Sequence, residues 1–373
     1  MSGEQYFPGL EGVIAGETAV STIEGGLRYR GYAIEELAAD ASFLEVAYLL
    51  LYGELPTQEQ IADFQTILAD SAEVPQPVLD LIAEIPLHVS AMDALRTGIS
   101  AVAHFDHQVD EDGTEANISK ARRLLGQIPV LIAARHRLSQ GLDLVAPDPE
   151  LSFSGNLLQM ITGEPPSELH ERAMEVSLIL YAEHEFNAST FTARVVTSTG
   201  SDLHSAITAA VGALKGPLHG GANERVMEVL EEVGAPAHAD KWVHNALKQK
   251  RRIMGFGHRV YKDGDPRAEV LADYCKQLAG ERGNFDLEEI ADTIEHVVRT
   301  EKKLPPNLDW PSARLYHYLG LDIPVYTPLF VASRVTGWAA HVIEQAENNR
   351  LIRPRSKYTG PEPRPFAPLA KRG

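Results

Sequence analysis

Cysteine is almost missing: Cys275 is the only one in 373 residues, so no disulfide can close within a single chain. No apolar run approaches the roughly 18 residues that a membrane span requires. Residues 1–12 hold acids and glycines where a secretory leader needs a basic and then an apolar segment, and a cytoplasmic protein is expected. Positive charge is also scarce. Lys and Arg number 34 against 52 Asp and Glu, a formal net charge of −18, which repels nucleic-acid phosphate and anionic lipid. Neither nucleic acid nor membrane is an expected partner.

Several catalytic signatures are absent as well. His184-Glu185 is followed by Ala188 where a helical two-histidine zinc site needs its second ligand. Gly255-Phe256-Gly257 has no third glycine and follows a basic segment rather than a strand, so it is not a dinucleotide fingerprint. There is no Walker lysine loop and no Gly-x-Ser-x-Gly elbow. Strand signals are confined to Thr18 to Ile23 and Leu27 to Gly31, which flank Gly25-Gly26 as a hairpin.

Helical signals fill the rest. Ser42-Phe43-Leu44-Glu45 has a capping-box pattern and opens a helix through Leu51, and Thr57-Gln58-Glu59-Gln60 repeats the device before Ile61, Phe64 and Leu68. Ile290, Ile294, Val297 and Val298 share one helical face, and Val331, Val335, Trp338 and Val342 mark a second long helix. Nearly every residue between Ala206 and Leu214 is apolar or small, which predicts a helix buried on all sides. A Pro- and Arg-rich tail follows Arg353.

Three polar segments stand out between the helices. In Gly216-Pro217-Leu218-His219-Gly220-Gly221 the paired glycines open the backbone to a ligand, and His219 falls near the start of a helix. There the helix dipole keeps an imidazole neutral and able to donate to a carbonyl oxygen. In Met254 to Lys262, His258 follows Gly257, and the six basic residues from Lys248 to Lys262 reverse the chain's overall sign, which attracts phosphate. In Pro305-Pro306-Asn307-Leu308-Asp309-Trp310 a carboxylate follows a rigid turn beside an indole, where desolvation strengthens a base. Taken singly, these residues also fit a turn histidine, a solvated basic face and a helix cap; Arg334, on a face with Val331, Val335 and Trp338, needs an anionic partner or an internal ion pair.

In this order the segments resemble the citrate synthase family, including its 2-methylcitrate synthase branch. The resemblance runs from Gly9-Leu10-Glu11-Gly12-Val13 and Tyr29-Arg30-Gly31-Tyr32, through Ala182-Glu183-His184-Glu185-Phe186-Asn187, to Leu351-Ile352-Arg353-Pro354. It implies an all-α two-domain fold with a small N-terminal β-hairpin, assembled as a homodimer. Residues 1–221 and 319–373 correspond to the large domain and 222–318 to the small one, with the active site in the cleft between them. His219 and Asp309 correspond to the enolising pair, and His258 to the histidine that polarises the oxaloacetate ketone. His184, Asn187, Arg267 and Arg334 correspond to residues that hold oxaloacetate, as does Arg353, which reaches across the dimer in this family. Arg259 and Lys262 fall in the part that binds coenzyme A.

The activity this implies is condensation of acetyl-CoA, oxaloacetate and water to citrate and CoA, by enolisation, aldol-type attack and thioester hydrolysis. Coenzyme A thioester is then a substrate, and no metal or redox cofactor is called for. Tyr181 to Asn187 and Thr336 to His341 look closer to the 2-methylcitrate branch, and one extra methylene in an apolar pocket is worth only about 1–3 kcal/mol. Citrate synthase with some propionyl-CoA activity is the leading expectation, with 2-methylcitrate synthase as the alternative. Pro311, where many relatives carry an aromatic residue, is a departure. Two readings of other classes are a non-catalytic family member, against which the intact Asp309 and histidines speak, and a metal-dependent hydrolase using His184, His219 and His258.

Overall fold

Local capping rules set the helix starts. Ser42 accepts the Glu45 N–H while the Glu45 carboxylate takes the Ser42 N–H, and Phe43–Tyr52 runs from there to a left-handed Gly53. Thr57 and Gln60 make the same reciprocal pair before Gln58–Ser71. Each such cap contributes about 1 kcal/mol. The computed structural model describes residues 6–258, 261 and 264–372. Among these the regular structure is sixteen α-helices, a few short 3₁₀ turns and one small sheet.

The helix Tyr326–Glu347 is the axis of the fold. Every residue from Tyr326 to Ile343 is buried, because helices Phe43–Tyr52, Thr114–Ser139, Glu168–Tyr181, Ala188–Thr197 and Leu203–Leu214 surround it. Gly337 marks its closest approach to the 182–187 loop. A Cβ there would collide with the Ala182 carbonyl and the Glu183 side chain. A second group of helices packs around Asp309–Tyr318, which touches both Ala222–Val233 and Pro266–Arg282, while Pro236–Lys248 lies on Asp286–Lys302. Ile290, Ile294, Val297 and Val298 are buried on one face of Asp286–Lys302, as their spacing predicts.

Two sequence expectations need correction. The N-terminal hairpin has a third strand: Ser21–Thr22, Arg28–Tyr29 and Tyr32–Ala33 form an antiparallel sheet, with Ser21 opposite Tyr29 and Tyr29 opposite Tyr32. The helix Leu203–Leu214 is buried on one side only. Ala206, Ile207, Ala210, Val211 and Leu214 face the core, whereas Ser205 and Gly212 are exposed. Small residues fit a wet face as well as a dry one, so the pattern could not separate the two. No helix among the described residues is long and apolar enough to cross a membrane.

Candidate active site

The His184 loop is built from below. Tyr29, buried in the sheet, donates its hydroxyl to the Glu183 carbonyl at 2.9 Å. Ser21 donates to Glu183 Oε1 at 3.0 Å and accepts the Glu185 N–H. Glu183 also faces His341 Nε2 at 2.9 Å, with both side chains fully buried. The sheet is therefore short because its task is local: it pins the turn that presents His184.

His219 sits in the turn before Ala222–Val233, outside the helix itself. Its Nε2 lies 3.3 Å from the Ser189 backbone nitrogen and 2.8 Å from Ser189 Oγ. A backbone N–H can only donate, so Nε2 accepts and the ring proton belongs on Nδ1. Burial, and then the Arg334 charge, lower the imidazole to about 4. The ring is neutral at pH 7, as expected, but the main cause is desolvation rather than a helix dipole.

Asp309 opens the helix Asp309–Tyr318 and is half-buried. Burial raises its carboxyl from 3.8 to about 6, against the pull of a Tyr181 hydrogen bond and of Arg267. Trp310 turns into the core against Phe256, with ring centroids 4.6 Å apart. The two polar segments are joined by their backbones: Phe256 bridges Pro306, Asn307 N–H donates to the Gly255 carbonyl, and the Asn307 amide donates to the Gly257 carbonyl. Gly255 has φ +85°, and a Cβ there would press on Val226 and Trp310. This contact brings His258 and Asp309 to one cleft although the sequence separates them by some fifty residues.

The cations come from two other elements. Arg334 is 2 % exposed and donates from Nε to the Tyr181 carbonyl at 2.6 Å. Arg267 is 4 % exposed, makes a bidentate pair with Asp265 at 2.8 and 2.9 Å, and reaches the Leu180 carbonyl. Both arginines thus crowd the C-terminal end of Glu168–Tyr181, where free carbonyls favour positive charge. Asp265 neutralises Arg267. Among the described residues Arg334 has no such contact; burial lowers it to about 10, with Glu183 the first of the charges that oppose the shift. It is still a cation at pH 7, ready for an anionic ligand.

His184 and His258 stand edge to face with centroids 5.2 Å apart, and His258 stacks on Tyr261. The Tyr261 N–H donates to His258 Nδ1 at 3.3 Å, so the proton of His258 belongs on Nε2. His184 Nε2 is 3.1 Å from the Tyr261 hydroxyl. Burial and then Arg267 hold its imidazole well below the usual range. Phe330 joins the two halves of the cleft: its ring lies 4.4 Å from Tyr181, 6.4 Å from His219 and 4.6 Å from the Arg334 guanidinium.

His184, His219, His258, Asp309, Arg267 and Arg334 are therefore brought together. Two expected residues stand apart from this group. The Asn187 side chain caps Ala188–Thr197, accepting from Ser189 and Thr190 N–H and donating to Thr190 Oγ1. Arg353 is exposed in the tail, with no hydrogen bond or ion pair to the described residues. Arg259 and Lys262 lie outside the described residues. Of the other basic residues in that run, Arg251 is already paired with Glu232 at 2.6 and 2.8 Å. No group of three His, Cys, Asp or Glu side chains converges as a metal site among the described residues.

Ser189, Tyr181, Tyr261, Asp265 and Phe330 were missed by sequence reasoning. Only Ser189, directly after a capping Asn187-Ala188, carried a local signal. A cavity of about 270 Å³ beside Arg135, His136 and Asp322 contains none of the site residues. There Arg135 is held by the carbonyls of Ile85, Pro86 and Val89, a structural clamp on the loop before Ala91–Val102.

Comparison with known proteins bears on this arrangement. The family model for "Citrate synthase, C-terminal domain" matches residues 9–355. Citrate synthase 2 of Bacillus subtilis is 47% identical over 366 residues, covering 98% of either chain. The 2-methylcitrate synthase of Shewanella oneidensis is 44% identical over 370 residues, 98% of this chain and 97% of that one. Citrate synthase from Thermoplasma acidophilum, solved in a ternary complex with carboxymethyl coenzyme A and oxaloacetate, superposes with a TM-score of 0.93 at 34% identity, over 99% of this chain and 100% of that one.

Proposed function

The chain belongs to the citrate synthase family, and we propose that it condenses acetyl-CoA with oxaloacetate and water to give citrate and CoA. The observation that carries this reading is the pairing, in one cleft, of a neutral His219 with a desolvated Asp309 beside the cation Arg334. A thioester methyl is a very weak carbon acid. Asp309 takes its proton while His219 Nδ1–H donates to the thioester oxygen, so the enolate charge never develops unsupported. His258 Nε2–H donates to the ketone of oxaloacetate, which makes that carbon electrophilic. Arg334, Arg267 and His184 hold the carboxylates and fix the face presented to the enol. Attack forms the new carbon–carbon bond, and water then cleaves the thioester to citrate and CoA.

Residues 222–318 act in this reading as a small domain that closes on residues 1–221 and 319–373, shielding the enol and the citryl thioester from early water. Coenzyme A is a substrate, and its phosphates fall to the basic run that includes Arg259 and Lys262. The enzyme works as a homodimer whose Arg353 completes the neighbouring carboxylate site; the exposed tail supports this, because no residue among those described engages that guanidinium. Mixing Arg353→Ala with Asp309→Ala under subunit exchange tests it. A heterodimer with a shared site regains up to about half of the activity, since one site then carries both defects and the other none. Verified exchange without recovery overturns the shared site.

The acyl preference is tested by kcat/KM for acetyl-CoA and propionyl-CoA, each with saturating oxaloacetate. The expected outcome is an acetyl preference with measurable propionyl turnover. A propionyl preference would assign the chain to 2-methylcitrate synthesis instead, a reading supported by the relative from Shewanella oneidensis. No condensation with either thioester would overturn both.

A further inference from the structure

Tyr181 ends the helix Glu168–Tyr181 and is fully buried beside the Asp309 carboxylate. An ionised carboxylate can only accept, so across the 2.9 Å contact the phenol donates to Asp309 Oδ1. The phenol has a single proton. Its second contact, 2.7 Å to Ser312 Oγ, must then run the other way, with the Ser312 proton directed to Tyr181 in preference to the Asp309 backbone carbonyl, which lies farther off at 3.2 Å. Donation passes from Ser312 through Tyr181 to one oxygen of Asp309. The other oxygen, Oδ2, has no partner among the described residues.

The phenol has little freedom to leave. Its ring stands edge-on to Phe330 at 4.4 Å, and its backbone carbonyl is held by Arg334 Nε. Ser312 lies one turn along the helix that Asp309 opens, so donor and acceptor are fixed to the same two elements. A hydrogen bond to the charged form of a carboxylate favours that form. The other charged groups around Asp309 are Arg267 and Asp265 at the head of Pro266–Arg282, and Arg334 on Tyr326–Glu347. Arg267 and Arg334 act in the same direction as Tyr181, and Asp265 opposes them.

On the reading that Asp309 is the carbon base, we infer that Tyr181 is its positioning residue: it occupies Oδ1 and leaves Oδ2 to meet the substrate methyl. Tyr181 also favours the ionised carboxylate by its donation. It touches no reacting atom. Burial would otherwise protonate the base close to neutral pH, and Tyr181 offsets part of that cost without adding a formal charge to those of Arg267, Arg334 and Asp265.

The test is Tyr181→Phe, which keeps the ring and removes the donor. The acid limb of kcat/KM is expected to move toward higher pH by about one unit, with most of kcat retained on the plateau. A uniform loss of kcat with the limb unmoved would mean a merely structural role and overturn the inference. Ser312→Ala leaves the phenol in place and is expected to move the limb less; a larger movement than in Tyr181→Phe also overturns it. The inference is separated from the proposed reaction by a titration that needs no turnover. In free enzyme labelled at aspartate ¹³Cγ, with Asp309 assigned by its loss in Asp309→Asn, the Asp309 midpoint should be higher in Tyr181→Phe than in wild type. An equal or lower midpoint overturns the role of Tyr181 whatever the enzyme condenses, while failure of condensation alone counts against the proposed function.

Discussion

The turn that carries His219 and the helix head that carries Asp309 face one cleft, and burial moves their protons in opposite directions. For an imidazole the charged form is the protonated one, so desolvation lowers it, here to about 4. For a carboxyl the charged form is the deprotonated one, and the same desolvation raises it to about 6. The supports differ accordingly. His219 leans on a backbone N–H, which cannot accept and so holds the proton on the far nitrogen. Asp309 leans on a phenol, which keeps its proton across the working range because burial lifts Tyr181 well above its usual value. One low-dielectric cleft thereby yields a neutral donor and an ionised base at the same pH.

The largest effect expected from dividing the work in this way is on the base. Asp309→Asn should lower kcat by about 10²–10⁴-fold, with oxaloacetate binding retained when measured by calorimetry, because Arg334, Arg267 and the histidines remain. A variant that keeps more than a tenth of wild-type turnover would move the base elsewhere.

Next in size is the response to pH. Asp309 must be ionised to act, so kcat/KM is constant well above pH 6 and falls as pH drops through it, reaching about a tenth of the plateau at pH 5. His219 must be neutral to support the enolate, and at about 4 it begins to charge only below that limb. The logarithmic profile between pH 8 and 5 should therefore turn to a slope of one. A slope of two would mean that both groups titrate together and that burial does not separate them.

How far this was readable from sequence follows from the range of each interaction. The capping boxes at Ser42 and Thr57 are complete within four residues, and the structure keeps both. The third strand was not legible: it is two residues long and depends on Arg30 and Gly31 both taking positive φ. His219, Asp309 and His258 stood out because glycine and proline frame polar groups there, and a family resemblance tied them together. Tyr181 could not be found this way, since 128 residues separate it from Asp309 and its own segment is an ordinary apolar helix. Asn187 shows the reverse case: it lies inside the motif that carries the resemblance, and Asn followed by Ala-Ser-Thr is also an N-cap signature, which is the local role its amide performs in the structure.

The smallest effect expected concerns Ser189, which touches His219 twice, through its backbone nitrogen and through its hydroxyl. Ser189→Ala removes only the hydroxyl. The N–H that fixes the His219 tautomer stays, because the helix Ala188–Thr197 and its Asn187 cap do not depend on the side chain. What is lost is an acceptor for the buried Trp338 Nε1–H at 3.0 Å and a hydroxyl proton within 2.8 Å reach of both Asn187 Oδ1 and the accepting His219 Nε2. An orphaned buried N–H costs about 1–3 kcal/mol, so urea unfolding should report a loss of that order. In turnover the imidazole loses one neighbour but not its proton's place, and kcat should fall only about fivefold, equivalent to about 1 kcal/mol, with KM for oxaloacetate unchanged. A fall of a hundredfold in a folded Ser189→Ala would mean that the hydroxyl, not the backbone, selects the tautomer. The turn and the helix head would then both rely on a side-chain hydroxyl, and the asymmetry between their supports would be gone.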